Sequence, residues 1–256
     1  MKVELLQSSF ENGVATTRQH LSCFVINNRI AIDAGSIGIS TNPCQTAEIR
    51  NIVLTHAHID HIAGLPLFID DHFASIKNPL KVYATNEVIS ALRNHIFNWE
   101  IYPNFEELEN EFGKVLEFVP FDEAKEFEIE AIRFLPISVN HKVPSVGFLF
   151  GDQDSTVAIS GDTSSMDEFW HIANGADGLD AVLIECAFPQ RLQKLAGASF
   201  HLTPKALENE IQKLNRVCPI YVINIKPMYL EEVEREIYQL NDSRIKILKP
   251  GVEYDF

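Results

Sequence analysis

From Leu54 the chain reads Leu54-Thr55-His56-Ala57-His58-Ile59-Asp60-His61-Ile62-Ala63-Gly64-Leu65-Pro66, which sets three imidazoles and a carboxylate within six positions. Imidazole nitrogen and carboxylate oxygen are borderline donors suited to zinc, manganese or iron. Their spacing is informative. On an α-helix, residues two apart point about 200° apart, so His56 and His58 could not share one ion there. On extended or looped backbone they can face the same way, while Asp60 and His61 at the following turn reach a second position. A pair of ions is the natural consequence. Two further donors stand where apolar runs end: His141 in Val139-Asn140-His141-Lys142-Val143-Pro144, and Asp162 in Ser160-Gly161-Asp162-Thr163 after Val157-Ala158-Ile159. A lone strand-end histidine or a Gly-Asp turn says little by itself. Beside the first cluster, both become candidate ligands.

These donors need a scaffold. Alternating or continuous apolar runs predict strands at Lys2 to Leu6, Ser22 to Ile26 and Ile30 to Ile32, the last two joined by the turn residues Asn27 and Asn28. More strands are expected at Ile52 to Leu54 and Lys81 to Tyr83, in alternation from Val115 to Pro136, and at Gly147 to Phe150, Thr156 to Ser160, Ala181 to Ile184 and Ile220 to Ile225. Helices are expected at Ile62 to Ser75, where Leu65, Phe68, Ile69 and Phe73 form a stripe, and at Glu87 to Phe97, which Thr85 or Asn86 can cap. Later ones fall at Ser165 to Ala173, Pro204 to Leu214 and Glu231 to Leu240. A β-rich first half and a β-rich second half, each punctuated by helices, suit two packed sheets with helices outside. No linker rich in Pro, Gly or Ser interrupts residues 1–256, and one domain is expected at this length.

Composition narrows the partners. With 46% apolar residues in 256, the chain can bury a sizeable core. Its 21 basic and 36 acidic residues give a formal charge of −15, which disfavours long nucleic acid. A small anion entering a pocket that carries its own cations is still allowed, because the acidic surface is screened over about 8 Å. No apolar run approaches the roughly 20 residues of a membrane span, and the start lacks a secretory h-region, so no membrane partner and a cytoplasmic location are expected. Cys23, Cys44, Cys186 and Cys218 form no CxxC pair and read as reduced thiols. His20, His72, His95 and His171 match no ligand position. A homodimer is the base-rate assembly.

The HxHxDH segment, the later His141 and the SGDT stretch resemble the metallo-β-lactamase superfamily. More narrowly, Leu54 to Leu67, His95 to Phe105, Asn140 to Pro144, Glu185-Cys186-Ala187-Phe188-Pro189, His201-Leu202-Thr203-Pro204 and Ile225-Lys226-Pro227 resemble class II cyclic-nucleotide phosphodiesterases. The resemblance implies an α/β (α+β) fold, a four-layer αββα sandwich of two mixed sheets with a metal pair at one edge. It implies one ion on His56, His58 and His141, and another on Asp60 and His61, with Asp162 bridging. The family carries a histidine at the place held here by Asn224. A neutral amide oxygen is a harder and weaker donor than imidazole toward zinc, so the second ion should bind less tightly or be a harder metal such as manganese.

The resemblance further implies that Glu185 orients His201, which protonates the leaving oxygen, and that Asp60 takes part in orienting the nucleophile. Asn140 and Lys226 are expected to contact phosphate, and Asp33 and Thr55 to support the ligands from behind. The implied activity is metal-dependent hydrolysis of a 3′,5′-cyclic nucleotide to the 5′-nucleotide with two divalent ions, zinc before manganese or iron. Two alternatives stand beside it. The same constellation serves ribonuclease Z-like processing of RNA, which the acidic charge opposes. Loss of the histidine at Asn224 would also suit a one-metal protein that binds a nucleotide without turnover. Hydrolysis of β-lactams would require export, for which the amino terminus offers no signal.

Overall fold

A computed structural model describes residues 1–256. Fourteen strands form two seven-stranded sheets. In chain order they are β1 (Lys2–Leu5), β2 (Phe24–Ile26), β3 (Ile30–Ile32), β4 (Asn51–Val53), β5 (Leu80–Ala84), β6 (Leu116–Pro120), β7 (Phe127–Ile129), β8 (Ile132–Ser138), β9 (Val146–Gly151), β10 (Thr156–Ile159), β11 (Leu179–Glu185), β12 (Ile220–Ile223), β13 (Ile245–Ile247) and β14 (Glu253–Asp255). The first sheet has the order β6-β5-β4-β3-β2-β1-β14 and the second β7-β8-β9-β10-β11-β12-β13. Both are mixed: β3 to β6 run parallel and β10 to β13 run parallel, with antiparallel strands completing each sheet.

Three apolar clusters show the layering. Phe24, Ile26, Ile30, Ile32 and Val53 of the first sheet meet Phe134, Phe148, Phe150, Val157, Ile159 and Leu183 of the second. The alternate residues Val25, Ala31 and Ile52 point away and pack against Leu65, Phe68 and Ile69 of α1 (Gly64–His72) and Val88, Ile89 and Leu92 of α2 (Asn86–His95). On the other side Ala158, Val182, Ile184 and Val222 pack against Phe169 and Trp170 of α3 (Asp167–Gly175), Leu207 and Ile211 of α4 (Pro204–Ile211), and Val233 and Ile237 of α5 (Leu230–Gln239). Helix, sheet, sheet, helix is the four-layer order expected. It explains why the central strands read as unbroken apolar runs, since both their faces are covered.

The Asn27-Asn28 turn adopts positive φ at both residues, 49° and 61°, and Arg29 N–H donates to Ile26 O at 2.9 Å. This is the two-residue hairpin that matches strand twist. Elsewhere the boundaries differ from expectation. The helix read as Ile62 to Ser75 is a short turn, Ile59–Ile62, followed by α1 and a 3-10 turn, Phe73–Ser75. The polar connection after Ser36 holds two short helices, Ile37–Ser40 and Pro43–Glu48, the second fixed by a capping box between Asn42 and Gln45. The strand read to Ile225 stops at Ile223, because Asn224 turns left-handed with φ 56°. The edge strands β13 and β14 are three residues each and half-exposed, too short to stand out in the sequence.

Candidate metal centre

Every candidate donor follows the end of a strand on one edge of the sandwich. His56, His58, Asp60 and His61 come after β4, Asn140 and His141 after β8, Asp162 after β10, and Asn224 and Lys226 after β12. Glu185 is the last residue of β11. The two sheets join at this edge through a backbone bond from Val146 N–H to Thr55 O of 3.0 Å. Gly35 lets the loops close: a Cβ there would run into the carbonyl of Asp60. Gly161, at φ 62°, turns the chain so that the next residue, Asp162, faces the cleft.

His56, His58 and His141 bring one ring nitrogen each to within 4.8 Å of one another. Their tautomers follow from their other contacts. Nδ1 of His141 lies 3.1 Å from the Phe200 carbonyl and must donate to it, leaving Nε2 with its lone pair 3.1 Å from Nδ1 of His58. Nδ1 of His56 lies 2.9 Å from the Thr55 hydroxyl, which itself reaches Asp33 at 2.9 Å. The hydroxyl donates to the carboxylate and accepts from the ring, so Nε2 of His56 also bears a lone pair. That nitrogen is buried and has no partner in the protein. Burial pushes His56 well below the ordinary imidazole value, and burial likewise lowers His58 and His141. Three neutral imidazoles, one with an orphaned buried nitrogen, fit a divalent ion.

The other side of the cleft differs. His61 and Asp33 form a buried pair at 2.6 Å, and Nε2 of His61 lies 3.5 Å from Oδ2 of Asp162. Burial alone would lower His61, but Asp33 and Asp162 outweigh it and its pKa stands well above the ordinary value. Asp60 is held at 3.0 Å by the Lys226 ammonium. Asn224 is held between Gln19 and Asp162. Its backbone N–H donates to Oε1 of Gln19 at 3.1 Å, which fixes the Gln19 amide so that its Nε2 donates to Oδ1 of Asn224 at 2.8 Å. The Asn224 amide nitrogen is thereby turned to Oδ1 of Asp162, at 2.6 Å.

Beside the imidazole group stands a third unit. Glu185 is fully buried, and its oxygens accept from the backbone N–H groups of Thr163, Ala187 and Leu202 and from Nδ1 of His201 at 2.7 Å. Burial pulls His201 down, but the Glu185 carboxylate prevails and its pKa stands above the ordinary imidazole value. With Nδ1–H committed to Glu185, Nε2 is the ring nitrogen of His201 left without a protein partner.

A family profile described as "Beta-lactamase superfamily domain" matches residues 28–221, a span that contains all of these residues from Asp33 to His201. The chain belongs to the metallo-β-lactamase superfamily. It is similar to a probable 3′,5′-cyclic-nucleotide phosphodiesterase of Yersinia pestis, 26% identical over 235 residues that cover 78% of this chain and 65% of that protein. It is also similar to a ribonuclease Z of Pyrococcus abyssi, 31% identical over 110 residues, or 42% of this chain and 32% of that one. The chain thus spans less than two thirds of the length of either relative. Unliganded yeast PDE1 shares the fold with a TM-score of 0.75 at 17% identity, over 98% of both chains.

Against this superfamily frame, His56, His58, His61, His141, Asp162 and His201 fall into overlapping groups of possible ligand atoms, while Asp60 and Asn224 are engaged by protein partners. Lys226 is bound to Asp60, and Asn140 lies exposed beside His141 with its carbonyl accepting from Ser164. His20, His72, His95 and His171 lie outside every group. Sequence reasoning missed Gln19 and Phe200. Gln19 lies far from any motif, and Phe200 acts through a carbonyl that every residue possesses; its left-handed φ of 58° is invisible in the sequence.

Proposed function

We propose that the chain is a metal-dependent phosphodiesterase that opens a 3′,5′-cyclic nucleotide to the 5′-nucleotide. The observation that carries this reading is the buried Glu185-His201 pair set against the three-imidazole group, with ring centroids of His141 and His201 5.1 Å apart. An ion held by His56, His58 and His141 supplies Lewis-acid stabilisation of phosphoryl charge and activation of water when bound.

The protein groups divide the remaining work. His201 carries a proton on Nε2 and gives it to the departing 3′ oxygen as that oxygen leaves phosphorus and a water oxygen joins it. Glu185 accepts from the opposite ring nitrogen and favours the protonated imidazole, the direction in which the pKa of His201 is shifted. In this reading Asp60 orients the attacking water. Lys226, half-buried and cationic, and the exposed Asn140 meet the phosphate in this reading.

The likeness to ribonuclease Z supports a competing substrate on the same chemistry. The net charge of −15 favours the smaller anion, because an RNA backbone must approach a broad surface while a cyclic nucleotide enters only the cationic focus. Turnover of cyclic AMP, cyclic GMP and bis(p-nitrophenyl) phosphate by zinc- or manganese-loaded protein tests the reading. Release of 5′-nucleotide is the expected result. A full metal complement with no hydrolysis of any phosphodiester sinks it and leaves a nucleotide-binding protein; cleavage of precursor transfer RNA alone replaces the substrate.

A further inference from the structure

We infer that this chain retains a single ion, on His56, His58 and His141, and that protein groups stand where a second would: the Asn224 amide on Asp162 and the Lys226 ammonium on Asp60. The inference rests on metal binding by the three imidazoles and is independent of the substrate.

The orientation of the Asn224 amide is forced. A backbone N–H can only donate, so the Gln19 atom it meets at 3.1 Å is the carbonyl oxygen. The other end of Gln19 is then an NH2 group, which donates to Oδ1 of Asn224 at 2.8 Å. What remains of Asn224 is an NH2 group, and it meets an acceptor, the carboxylate of Asp162, at 2.6 Å. Flipping either amide sets donor against donor at one contact. The backbone agrees with the side chain, because Asn is among the few residues that tolerate the left-handed φ of 56° found here. Asn224 thus presents its NH2 end, not its carbonyl oxygen, to Asp162, and its oxygen is turned toward Gln19.

Asp60, the next acceptor a second ion would need, already has a cation 3.0 Å away in Lys226. A divalent ion at Asp60 would sit within a few ångström of a fixed ammonium and be repelled by it. With Nε2 of His56 given to the first ion, the protein donors that remain on this side are Nε2 of His61 and Oδ2 of Asp162, which face each other at 3.5 Å. Zinc sites that hold their ion through catalysis use three protein donors, which the imidazole group supplies and this pair does not.

Metal content and cobalt titration test this without any turnover. Apo protein reconstituted with excess cobalt(II) or zinc and passed through gel filtration should retain about one ion per chain, and cobalt absorption should saturate at about one equivalent. Asn224→His adds an imidazole and releases Asp162, and should bring the retained content to about two. Gln19→Ala leaves the backbone of the cleft in place, frees the Asn224 amide to turn, and should tighten the second binding step by about tenfold or more. Two ions of comparable affinity in the unaltered chain overturn the inference. So does a second binding step unmoved in both variants. A chain that retains one ion yet hydrolyses nothing supports the single-ion site while removing the proposed reaction.

Discussion

The two sides of the cleft use the same residue types to opposite ends. On the imidazole side, Thr55 and Phe200 take up the far nitrogens of His56 and His141, so that the near nitrogens converge with lone pairs unspent. On the carboxylate side, Asp60 meets Lys226, Asp162 meets Asn224, and each strong acceptor already has a donor. Readiness to bind an ion therefore depends less on which residues gather than on what their outer contacts leave open.

The contrast breaks most completely at His58. His58→Ala removes one of three converging ring nitrogens, and ion affinity should fall by more than about 100-fold, beyond what loss of an outer contact causes; metal content of the purified protein measures it, and an unchanged content would remove His58 from the site. His201→Ala leaves all three imidazoles in place, so the ion should stay while turnover of a cyclic nucleotide falls by about 10²- to 10⁴-fold. Metal loss in that variant would mean that His201 is itself a ligand. Thr55→Val keeps shape but withdraws the hydroxyl from Nδ1 of His56, and ion affinity should weaken by about 10- to 100-fold, read by competition with a chelating dye.

The gentlest probe is pH, applied to urea unfolding of the metal-free protein. His56, His58 and His141 are depressed in the folded state, so what they contribute to stability is complete above the unfolded imidazole value of about 6.5 and is lost as pH falls below it. His61 and His201 are raised, so their contribution is complete below about 6.5 and is lost as pH rises through their folded values. The midpoint should accordingly pass through a maximum near neutrality. His61→Gln should flatten the alkaline limb and leave the acid limb; a loss on the acid limb instead would mean that His61 folds neutral.

Much of the scaffold was legible because two-sided burial writes itself as apolar runs, as in Phe24-Val25-Ile26 and Ile220-Tyr221-Val222-Ile223. The strand-end placement of His56, His141 and Asp162 followed from where those runs stop. Short edge strands such as Ile245–Ile247 escaped, since a half-exposed three-residue pairing depends on its neighbour rather than on its own composition. In the site, the family resemblance marked Asn224 as an anomaly but could not give the direction of its amide. That direction is set by Gln19, 205 residues away in the chain, and only packing brings the two together.

Three of the residues that shape the cleft, Asp33, Phe200 and Asn224, hold left-handed backbone at φ 61°, 58° and 56°. For residues bearing a side chain, such conformations cost about 1–3 kcal/mol each. Phe200 reaches His141 through its carbonyl, so Phe200→Gly keeps that bond and relieves the backbone, giving up only the ring beneath the Lys142 ammonium. Asp33 and Asn224 serve through side chains that glycine lacks, and the same relief there would dismantle the cleft. Selection for a more durable molecule thus has one silent route at this edge and two that end in loss of the site, an asymmetry that random substitution screened first for heat resistance and then for ion binding would reveal.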